Sequence, residues 1–583
     1  MKARKSFAKL VPALRALVRA DEVWLALLAA AVGVAGGLGV VVINTVTTWM
    51  HTVLYALPPG QGLSESPSLD PMRALLVPSL GGLALGVSMA LLARLRPHNL
   101  IDPIEANAMY GGRMSLKDSL IVAAQTAWSN GVGASVGMEA GYAQFGAGAA
   151  SWVGQKLRLR RNDLRVLVGC GAAAAIGGAF NAPLCGAFYG IELIIGVYSI
   201  ATLPFVVAAA LAGTLTVQMA GMASPPLIVT LPSNVPHAAY ALIIIEGVAC
   251  GLAGIAIMRG VTAIEQMFRR SKIPPWARPL LGGIVVGVLG CLTPKAMSSG
   301  HSALHSYINV SFPFAVVLGI LLAKAVASAF SIGAGFRGGL FFASLFLGAM
   351  FGKVFAGVVG VLPFVTPLPA GLYAVVGMSG LAAAIVGGPL TMTFLALEST
   401  QNFAVTMAVL AAAIAATITV RRLFGYSFAT WRFHLRGEQI RSPADVGWIR
   451  NLTVRRMMSP VPVTVQATST LAGFRQDVPL GAVQHVVVAD DSGRYAGIAY
   501  PAEAALAPDN GNVNSILHLA DRFLLPDMSV NEALAAFEAA QADALAVLDG
   551  AETRSVIGIL IEHDTLRRYN AELERRSKDV SGE

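Results

Sequence analysis

Long apolar runs, broken repeatedly by glycine and proline, fill the chain from about Val23 to Arg422. Hydrophobic residues make up 55% of the 583 positions, charged residues make up 13%, and the mean hydropathy is +0.64. A water-soluble chain of this length needs far more charge to cover its surface. The pattern therefore predicts a polytopic membrane domain, and the return of ordinary charge density after about Arg432 predicts a second, cytosolic domain.

Basic residues mark the edges of the predicted spans. They occur in residues 1–22, in residues 156–165 and at the pair Arg421 and Arg422. Because basic flanks favour the cytoplasmic side of a bilayer, we expect a cytosolic N-terminal segment and a multi-pass protein of the plasma (inner) membrane. The net charge of +9 is thus explained by topology, and the basic residues form no aromatic-interleaved patch of the kind that binds nucleic acid.

The membrane region contains an internal repeat. Four pairs of motifs occur in the same order, about 200 to 214 residues apart: Gly33–Leu38 with Gly247–Leu252, Pro78–Gly82 with Pro279–Gly283, Gly133–Gly137 with Gly335–Gly339, and Pro183 through Glu192 with Pro389 through Glu398. Such a repeat predicts two halves, about 23–225 and 236–437, with a transport site between them built from broken helices. Close helix packing is the alternative explanation for any single glycine cluster.

Glu139 is an isolated acidic residue in an apolar, glycine-rich segment. A carboxylate at membrane depth is costly and by default marks a functional site. A helix starting there would direct its positive end at an anion, so the carboxylate could occupy the anion's place when ionised and withdraw when protonated. This predicts a gate, with pathway positions at Gly137, Met138, Ala140 and Gly141. An ordinary ion pair with a Lys or Arg is the alternative.

These motifs resemble the CLC family of chloride channels and proton-coupled chloride transporters. The similar segments are Gly137–Gly141 followed by Gln144, Gly171–Ala174, Ala179–Leu184 ending at Glu192, Gly338–Ala343, and Glu398–Phe403. The resemblance runs from about residue 25 to 437. It implies an all-α membrane domain of two inverted pseudo-repeats, a homodimer, small anions as substrate, and backbone amides of Gly339, Leu340 and Phe341 facing the central anion.

Three positions depart from the family pattern. Leu100 stands at a serine position of the first anion-binding motif, and Ala429 stands where the family places a tyrosine, so two hydroxyl donors are missing. Leu193 occupies the position of the second glutamate of the transporters, and an aliphatic side chain cannot relay a proton. This favours passive conduction, although the adjacent Glu192 is a possible substitute as a proton relay.

Short strand patterns and amphipathic helices follow a linker at residues 438–451. Two such units, within residues 452–573, resemble a tandem CBS pair, with a helix predicted over Met528–Phe537 and a polar tail at residues 574–583. Asp564 matches the ribose-binding aspartate of nucleotide-binding pairs, whereas Ile561 replaces the hydroxyl residue of that motif. An adenine nucleotide at Asp564 and a purely structural, dimerising role are both open.

The sequence thus predicts a passive, voltage-gated channel or uniporter for chloride or a similar small monovalent anion, gated by Glu139. A proton-coupled anion antiporter is the second hypothesis, and a non-conducting membrane sensor working through the CBS pair is the third. The spacing of residues offers no nucleophile–base pair, metal cluster or phosphate loop, so we expect no enzyme activity, no metal and no cofactor besides the nucleotide considered above.

Overall fold

The computed structural model describes residues 22–95, 100–363, 368–436, 453–460, 464–508 and 511–568. The chain forms two compact units, Met1–Asp445 and Val446–Glu583, and the division falls within the range of the predicted linker. The basic segment up to residue 21, the linker and the polar tail lie outside the described residues.

The first half of the membrane unit is helical. Its helices are α1 (Glu22–Tyr55), α2 (Pro71–Leu95), α3 (Pro103–Met109), α4 (Leu116–Gly131), α5 (Glu139–Lys156), α6 (Arg161–Phe180), α7 (Pro183–Tyr189) and α8 (Leu203–Met219). A π-helical turn, Gly190–Ile195, continues α7. Prolines begin α2, α3 and α7, where the missing N–H would have had no partner within the helix.

The second half follows the same plan. Its helices are α9 (Ala239–Arg270), α10 (Arg278–Leu292), α11 (His301–Tyr307), α12 (Phe314–Ala334), α13 (Phe341–Val359), α14 (Ala370–Val386), α15 (Pro389–Thr400), α16 (Phe403–Leu423) and α17 (Phe428–Leu435). Among the described helices, seven are long and apolar enough to cross a bilayer. The unit is therefore a multi-pass membrane domain.

The first repeated motif marks an equivalent helix contact in each half. In α1, a Cβ at Gly33 would collide with the carbonyl oxygen of Ala209 in α8, and in α9 a Cβ at Gly247 would meet the carbonyl oxygen of Ala412 in α16. Only glycine permits backbones to approach so closely. The first repeated motif thus forms the same kind of helix–helix contact in both halves.

The second repeated motif joins the two halves to each other. A Cβ at Gly82 in α2 would collide with the carbonyl of Pro279, while a Cβ at Gly283 in α10 would collide with the carbonyl of Pro78. Reciprocal contacts between equivalent residues arise when two elements are related by an approximate twofold axis. The crossing of α2 and α10 therefore lies near the pseudo-symmetry axis of the unit.

The C-terminal unit contains two β-α-β-β-α repeats. After a short helix, α18 (Val454–Met457), the first repeat consists of β1 (Thr464–Gln466), α19 (Leu471–Asp477), β2 (Val486–Ala489), β3 (Tyr495–Ala499) and α20 (Pro501–Leu506). Strand β1 is parallel to β2, and β2 is antiparallel to β3. A two-residue strand, β4 (Leu517–His518), extends this sheet beside β3.

The second repeat has the same order and pairing. Leu524 forms a parallel bridge with Val547, and α21 (Val530–Ala540), β5 (Ala544–Leu548), β6 (Val556–Ile561) and a helical segment over residues 562–568 follow. Strands β5 and β6 are antiparallel, with a bulge at the position equivalent to the one between β2 and β3. Helix α21 begins at Val530 rather than at Met528, because Ser529 caps it in a capping box with Glu532.

Candidate anion site

Two helix N-termini meet at the third repeated motif. The N–H of Gly137 donates to the carbonyl of Gly339 at 2.8 Å, and the N–H of Gly339 donates back to the carbonyl of Gly137 at 3.1 Å. Helix α5 begins two residues after Gly137, and α13 begins two residues after Gly339. Because the first N–H groups of a helix have no partner within it, this junction is suited to holding an anion.

The carboxylate of Glu139 occupies this junction. The residue is 4% exposed, and its Oε1 accepts a hydrogen bond of 2.8 Å from the N–H of Phe341. The acceptor belongs to the first half of the unit, whereas the donor opens α13 in the second half. A negative group is stabilised at such a helix terminus by the N–H dipoles. Glu139 thus places its carboxylate at a helix N-terminus, a position that suits a negative group.

The glycines beside Glu139 make room for its carboxylate. A Cβ at Gly137 or at Gly339 would collide with the carboxylate oxygens of Glu139. Gly141 has a different neighbour, since a Cβ there would lie 2.9 Å from Thr126 of α4. The sulfur of Met138 accepts from the hydroxyl of Tyr142 at 3.4 Å. Two of the predicted pathway residues, Met138 and Gly141, therefore make packing contacts within the protein.

A cavity of about 170 Å³ adjoins the carboxylate. Its walls include several predicted pathway residues, namely Glu139, Ala140, Gly339, Leu340 and Phe341. Ala429 also lines this cavity, so the methyl group at this position faces the space where the family carries a hydroxyl. Leu100 lines an adjoining cavity instead. The two departures from the family pattern therefore lie along the same pathway.

Tyr189 is a site residue that the sequence did not single out. It ends α7 and lines the cavity beside Glu139, with its ring centroid 6.0 Å from that of Phe341. Among the described residues its hydroxyl has no hydrogen-bond partner, so the hydroxyl is available to donate to a ligand. Tyr189 lies within the fourth repeated motif but is not one of its matched residues, and only the tertiary fold reveals its proximity to the carboxylate.

In the fourth repeated motif, a glutamate of each half accepts hydrogen bonds from the other half. Glu398 of α15 accepts from the N–H groups of Leu184 and Cys185 at 2.9 and 2.8 Å, at the start of α7. Glu192, which follows α7, accepts from the N–H groups of Leu390 and Thr391 at 3.1 and 2.8 Å, at the start of α15. Each glutamate thus caps the equivalent helix of the opposite half, so α7 and α15 run antiparallel, as in an inverted repeat.

Comparison with known proteins agrees with this geometry. The family model described as "Voltage gated chloride channel" matches residues 81–421. A "Putative chloride channel protein ClcB-like" of Ralstonia nicotianae is 32% identical over 369 residues, which cover 62% of this chain and 85% of the relative. The "Voltage-gated ClC-type chloride channel ClcB" of Salmonella typhimurium is 30% identical over 403 residues, which cover 68% of this chain and 96% of the relative. The chain belongs to the CLC family.

Solved CLC structures share the fold. One is a slow cyanobacterial Cl⁻/H⁺ antiporter, with a TM-score of 0.61, 22% identity and coverage of 71% of this chain and 97% of that chain. Another is a eukaryotic CLC transporter, with a TM-score of 0.56, 17% identity and coverage of 94% of this chain and 98% of that chain. The second likeness extends over most of both units. The protein is thus a membrane ion-transport protein with a CLC-type fold.

Two basic residues of the second half have different surroundings within this CLC fold. Lys324 is buried and donates to the carbonyl of Ser298 at 2.6 Å, so its ammonium group holds a loop. Arg337 precedes Gly338 and Gly339 and lines the same adjoining cavity as Leu100. Of the two, only Arg337 stands beside the pathway.

The predicted nucleotide position lies on the C-terminal unit. Asp564 forms an ion pair of 3.5 Å with Arg567, and both side chains are exposed. In the part of the chain that the structure describes, no group of three or more metal-ligating side chains is found.

Proposed function

We propose that the protein conducts chloride or a similar small monovalent anion passively, as a channel or uniporter gated by Glu139. The observation that carries the proposal is the hydrogen bond from the N–H of Phe341 to the Glu139 carboxylate, 2.8 Å long. The carboxylate already occupies a helix N-terminus, so an entering anion would compete with it for the same donor. The chloride-channel names of relatives such as the Salmonella protein support chloride as the ion.

The gating step follows from charge. The ionised carboxylate closes the junction because it accepts a charge-assisted hydrogen bond from Phe341. Protonation removes the charge and weakens this bond, so external protons or entering anions release the side chain. Depolarisation would act on the same charge within the membrane field. The freed N–H of Phe341 then coordinates the anion, with the hydroxyl of Tyr189 as a second donor.

Anion efflux from proteoliposomes tests the gate. We expect wild-type flux to rise as the pH falls, because protonation releases Glu139. The Glu139→Ala variant should conduct at all pH values between 4.5 and 7.5 without this response. Glu139→Gln is the matched control, because its neutral amide resembles the protonated carboxyl and should also abolish the pH response. A folded Glu139→Ala protein that passes no anion would show that the gate assignment is wrong and would favour a sensor.

Proton-coupled exchange is the second candidate function. Structures with this fold include a Cl⁻/H⁺ antiporter and a fluoride/proton antiporter, and Glu192 is a carboxylate within the membrane unit. Against exchange, the neighbouring Leu193 cannot titrate, and Glu192 is held by Leu390, Thr391 and the hydroxyl of Tyr198. Recording pH together with chloride, nitrate or fluoride flux separates the two: a channel moves anions with no stoichiometric proton flow.

We infer that the C-terminal unit is a tandem CBS pair. Two repeats with the same strand order, the same parallel and antiparallel pairing and a bulge at the same position support this inference. A structural role in dimerisation is favoured over nucleotide binding, since Asp564 is paired with Arg567 and Ile561 offers no hydroxyl. Titration of the full protein with ATP and with AMP, in wild type and in Asp564→Ala, tests this: binding lost in the variant would establish a nucleotide site.

The proposed arrangement in the cell rests on charge and on family membership. The basic residues of the N-terminal segment and of residues 156–165 support a cytoplasmic location for these segments, and we propose that the C-terminal unit lies on the same side of the inner membrane. CLC membership supports a homodimer with one pathway per subunit. Cross-linking in native membranes and protease accessibility in inside-out vesicles check the two statements separately.

A further inference from the structure

A second cavity, of about 330 Å³, adjoins the cavity of Glu139. The two cavities share lining residues, including Asp102, Gly338 and Arg432, so they form one continuous route toward the carboxylate. The second cavity is rich in guanidinium groups. The arginines that line it are Arg269, Arg278, Arg337, Arg432 and Arg436.

Several of the charges in this cavity already have partners. Arg269 pairs with Glu265 at 2.6 Å, and Arg436 lies 3.9 Å from Glu105. The Nε of Arg278 donates to the carbonyl of Ile273 at 3.2 Å. Arg269 and Arg436 are thus each paired with a carboxylate, whereas Arg278 donates to a neutral carbonyl and keeps its charge.

The carboxylates that line the cavity are engaged as well. Asp102 caps α3 by accepting from the N–H of Ile104 at 2.8 Å, and Glu265 is the partner of Arg269. Arg337 and Arg432 line the cavity near Gly338, and within the described residues no carboxylate lies within 4.0 Å of either guanidinium. The Nε of Arg337 is buried and has no hydrogen-bond partner there. A buried donor without an acceptor is costly, so this guanidinium is suited to an anionic ligand.

The chemistry of these donors indicates the class of anion. Leu100 and Ala429 provide no hydroxyl, and the polar side chains of Thr126 and Gln144 in the second cavity already donate to the carbonyls of Val122 and Ile101. The charged donors of the second cavity are therefore its guanidinium groups. A guanidinium offers parallel N–H groups in a fixed plane, which match two oxygens of a planar oxyanion. A halide is a single sphere, so two parallel N–H groups can reach it only through converging, bent hydrogen bonds. The route should therefore favour a planar oxyanion over a halide of the same charge.

We propose that Arg337 and Arg432 form a binding site for planar monovalent oxyanions, of which nitrate, bicarbonate and formate are the reference ligands. This site deepens the proposed function, since an anion on its way to Glu139 would pass it. Arg337, whose Nε is buried, supplies one fork beside Gly338. Arg432, one helical turn after Ala429 in α17, faces the same space.

Isothermal titration of the purified full-length protein with sodium nitrate and sodium chloride tests the site without requiring transport. We expect wild type to bind nitrate at least fivefold more tightly than chloride. Arg337→Lys keeps the charge but loses the fork, so nitrate affinity should fall at least fivefold and the preference for nitrate should disappear. Arg432→Lys should reduce the preference in the same direction.

Arg269→Lys is the matched control, because lysine keeps the ion pair with Glu265 and the preference should change less than twofold. If Arg337→Lys is not monodisperse, Arg337→Gln replaces it with the same expectation. Equal affinities for nitrate and chloride in wild type, or an unchanged preference in both the Arg337 and Arg432 variants, would overturn the proposal. Nitrate binding without any anion flux would contradict only the proposed transport, whereas chloride flux without a nitrate preference would contradict only this site.

Discussion

The two halves of the membrane unit present the same loop and helix to each other, but one carries a carboxylate and the other a phenyl ring. Gly137–Glu139 leads into α5, and Gly339–Phe341 leads into α13. In contrast, Glu192 and Glu398 are the same residue in both halves, and each caps a helix of the other half. The shared residues join the halves, whereas the position that differs lies at the candidate anion site.

The reason for this difference is space and charge. A Cβ at Gly339 would already collide with the Glu139 carboxylate, so the junction has room for one acidic side chain. Two carboxylates at this distance would repel each other strongly in a medium of low dielectric constant. A gate therefore requires that the repeat be broken at one position.

Restoring the symmetry should have the largest effect. Phe341→Glu would place a second carboxylate beside Glu139 at the junction. We expect chloride efflux at pH 7 to fall at least tenfold and to recover partly at pH 5, because protonation of either group relieves the repulsion. Proteoliposome efflux at the two pH values measures this.

Phe341→Leu is the control for the loss of the aromatic ring, and it should retain most of the flux. If Phe341→Leu falls as far as Phe341→Glu, or if acidification does not help the Glu variant, ring packing rather than charge would explain the result.

Removing the charge of either equivalent glutamate, Glu192 or Glu398, should lower the free energy of unfolding by a similar amount. Glu398→Gln and Glu192→Gln each replace charge-assisted acceptors at a helix N-terminus, and we expect each to cost about 1–3 kcal/mol of unfolding free energy. Thermal unfolding of the two variants in the same detergent measures this cost. A loss confined to one variant would contradict the equivalence of the two caps. Loss of proton movement in Glu192→Gln alone would instead support Glu192 as a proton relay.

The two halves also differ in the hydroxyl groups that they contribute to the cavity of Glu139. The first half contributes that of Tyr189, and the second-half residues that line the cavity carry none. Tyr189→Phe removes one donor to the anion, which is worth about 1 kcal/mol, so chloride affinity should fall about fivefold. Tyr307→Phe is the control, since the hydroxyl of Tyr307 donates to the carbonyl of Glu65 instead. Isothermal titration with chloride distinguishes them; equal affinities in wild type and Tyr189→Phe would remove this residue from the site.

The smallest effect concerns the repeats of the C-terminal unit. Thr470 caps α19 and Ser529 caps α21, each by accepting from an N–H of the following helix. Alanine at either position should cost about 1 kcal/mol of unfolding free energy and leave anion flux unchanged. Chemical unfolding of the full protein measures the cost, and a change in flux would indicate that this unit regulates the pathway.

The order of motifs in the sequence predicted much of the membrane fold. Motifs that recur in register must belong to equivalent elements, and the structure brings the Gly137 and Gly339 motifs into direct contact. Glu139 was predictable because a carboxylate in an apolar segment needs a special environment. Close helix packing was the alternative explanation for the glycine clusters, but the helices that Gly33 and Gly247 contact were not predicted, since a glycine gives no indication of its neighbour.

Side chains that come close to Glu139 only in the folded protein could not be identified from the sequence. Tyr189 and Arg432 lie far apart along the chain, and neither is a matched residue of a repeated motif, yet both line the cavity of Glu139. The start of α21 was misplaced by two residues because the capping preference of Ser529 outweighs the helical pattern at Met528. The local sequence pattern therefore identified the helices and strands, whereas the donors around the candidate anion site could be recognised only from the tertiary fold.

The contact between α2 and α10 restricts how the two halves of the membrane unit can move against each other. Backbone atoms at Gly82 and Gly283 touch the opposite half, so rocking one half against the other would break close packing on both sides of the axis. Transporters that rock in this way are limited by collective motions on microsecond to millisecond timescales. Rotation of a single glutamate side chain needs no such rearrangement, so each opening would require only bond rotations in one residue.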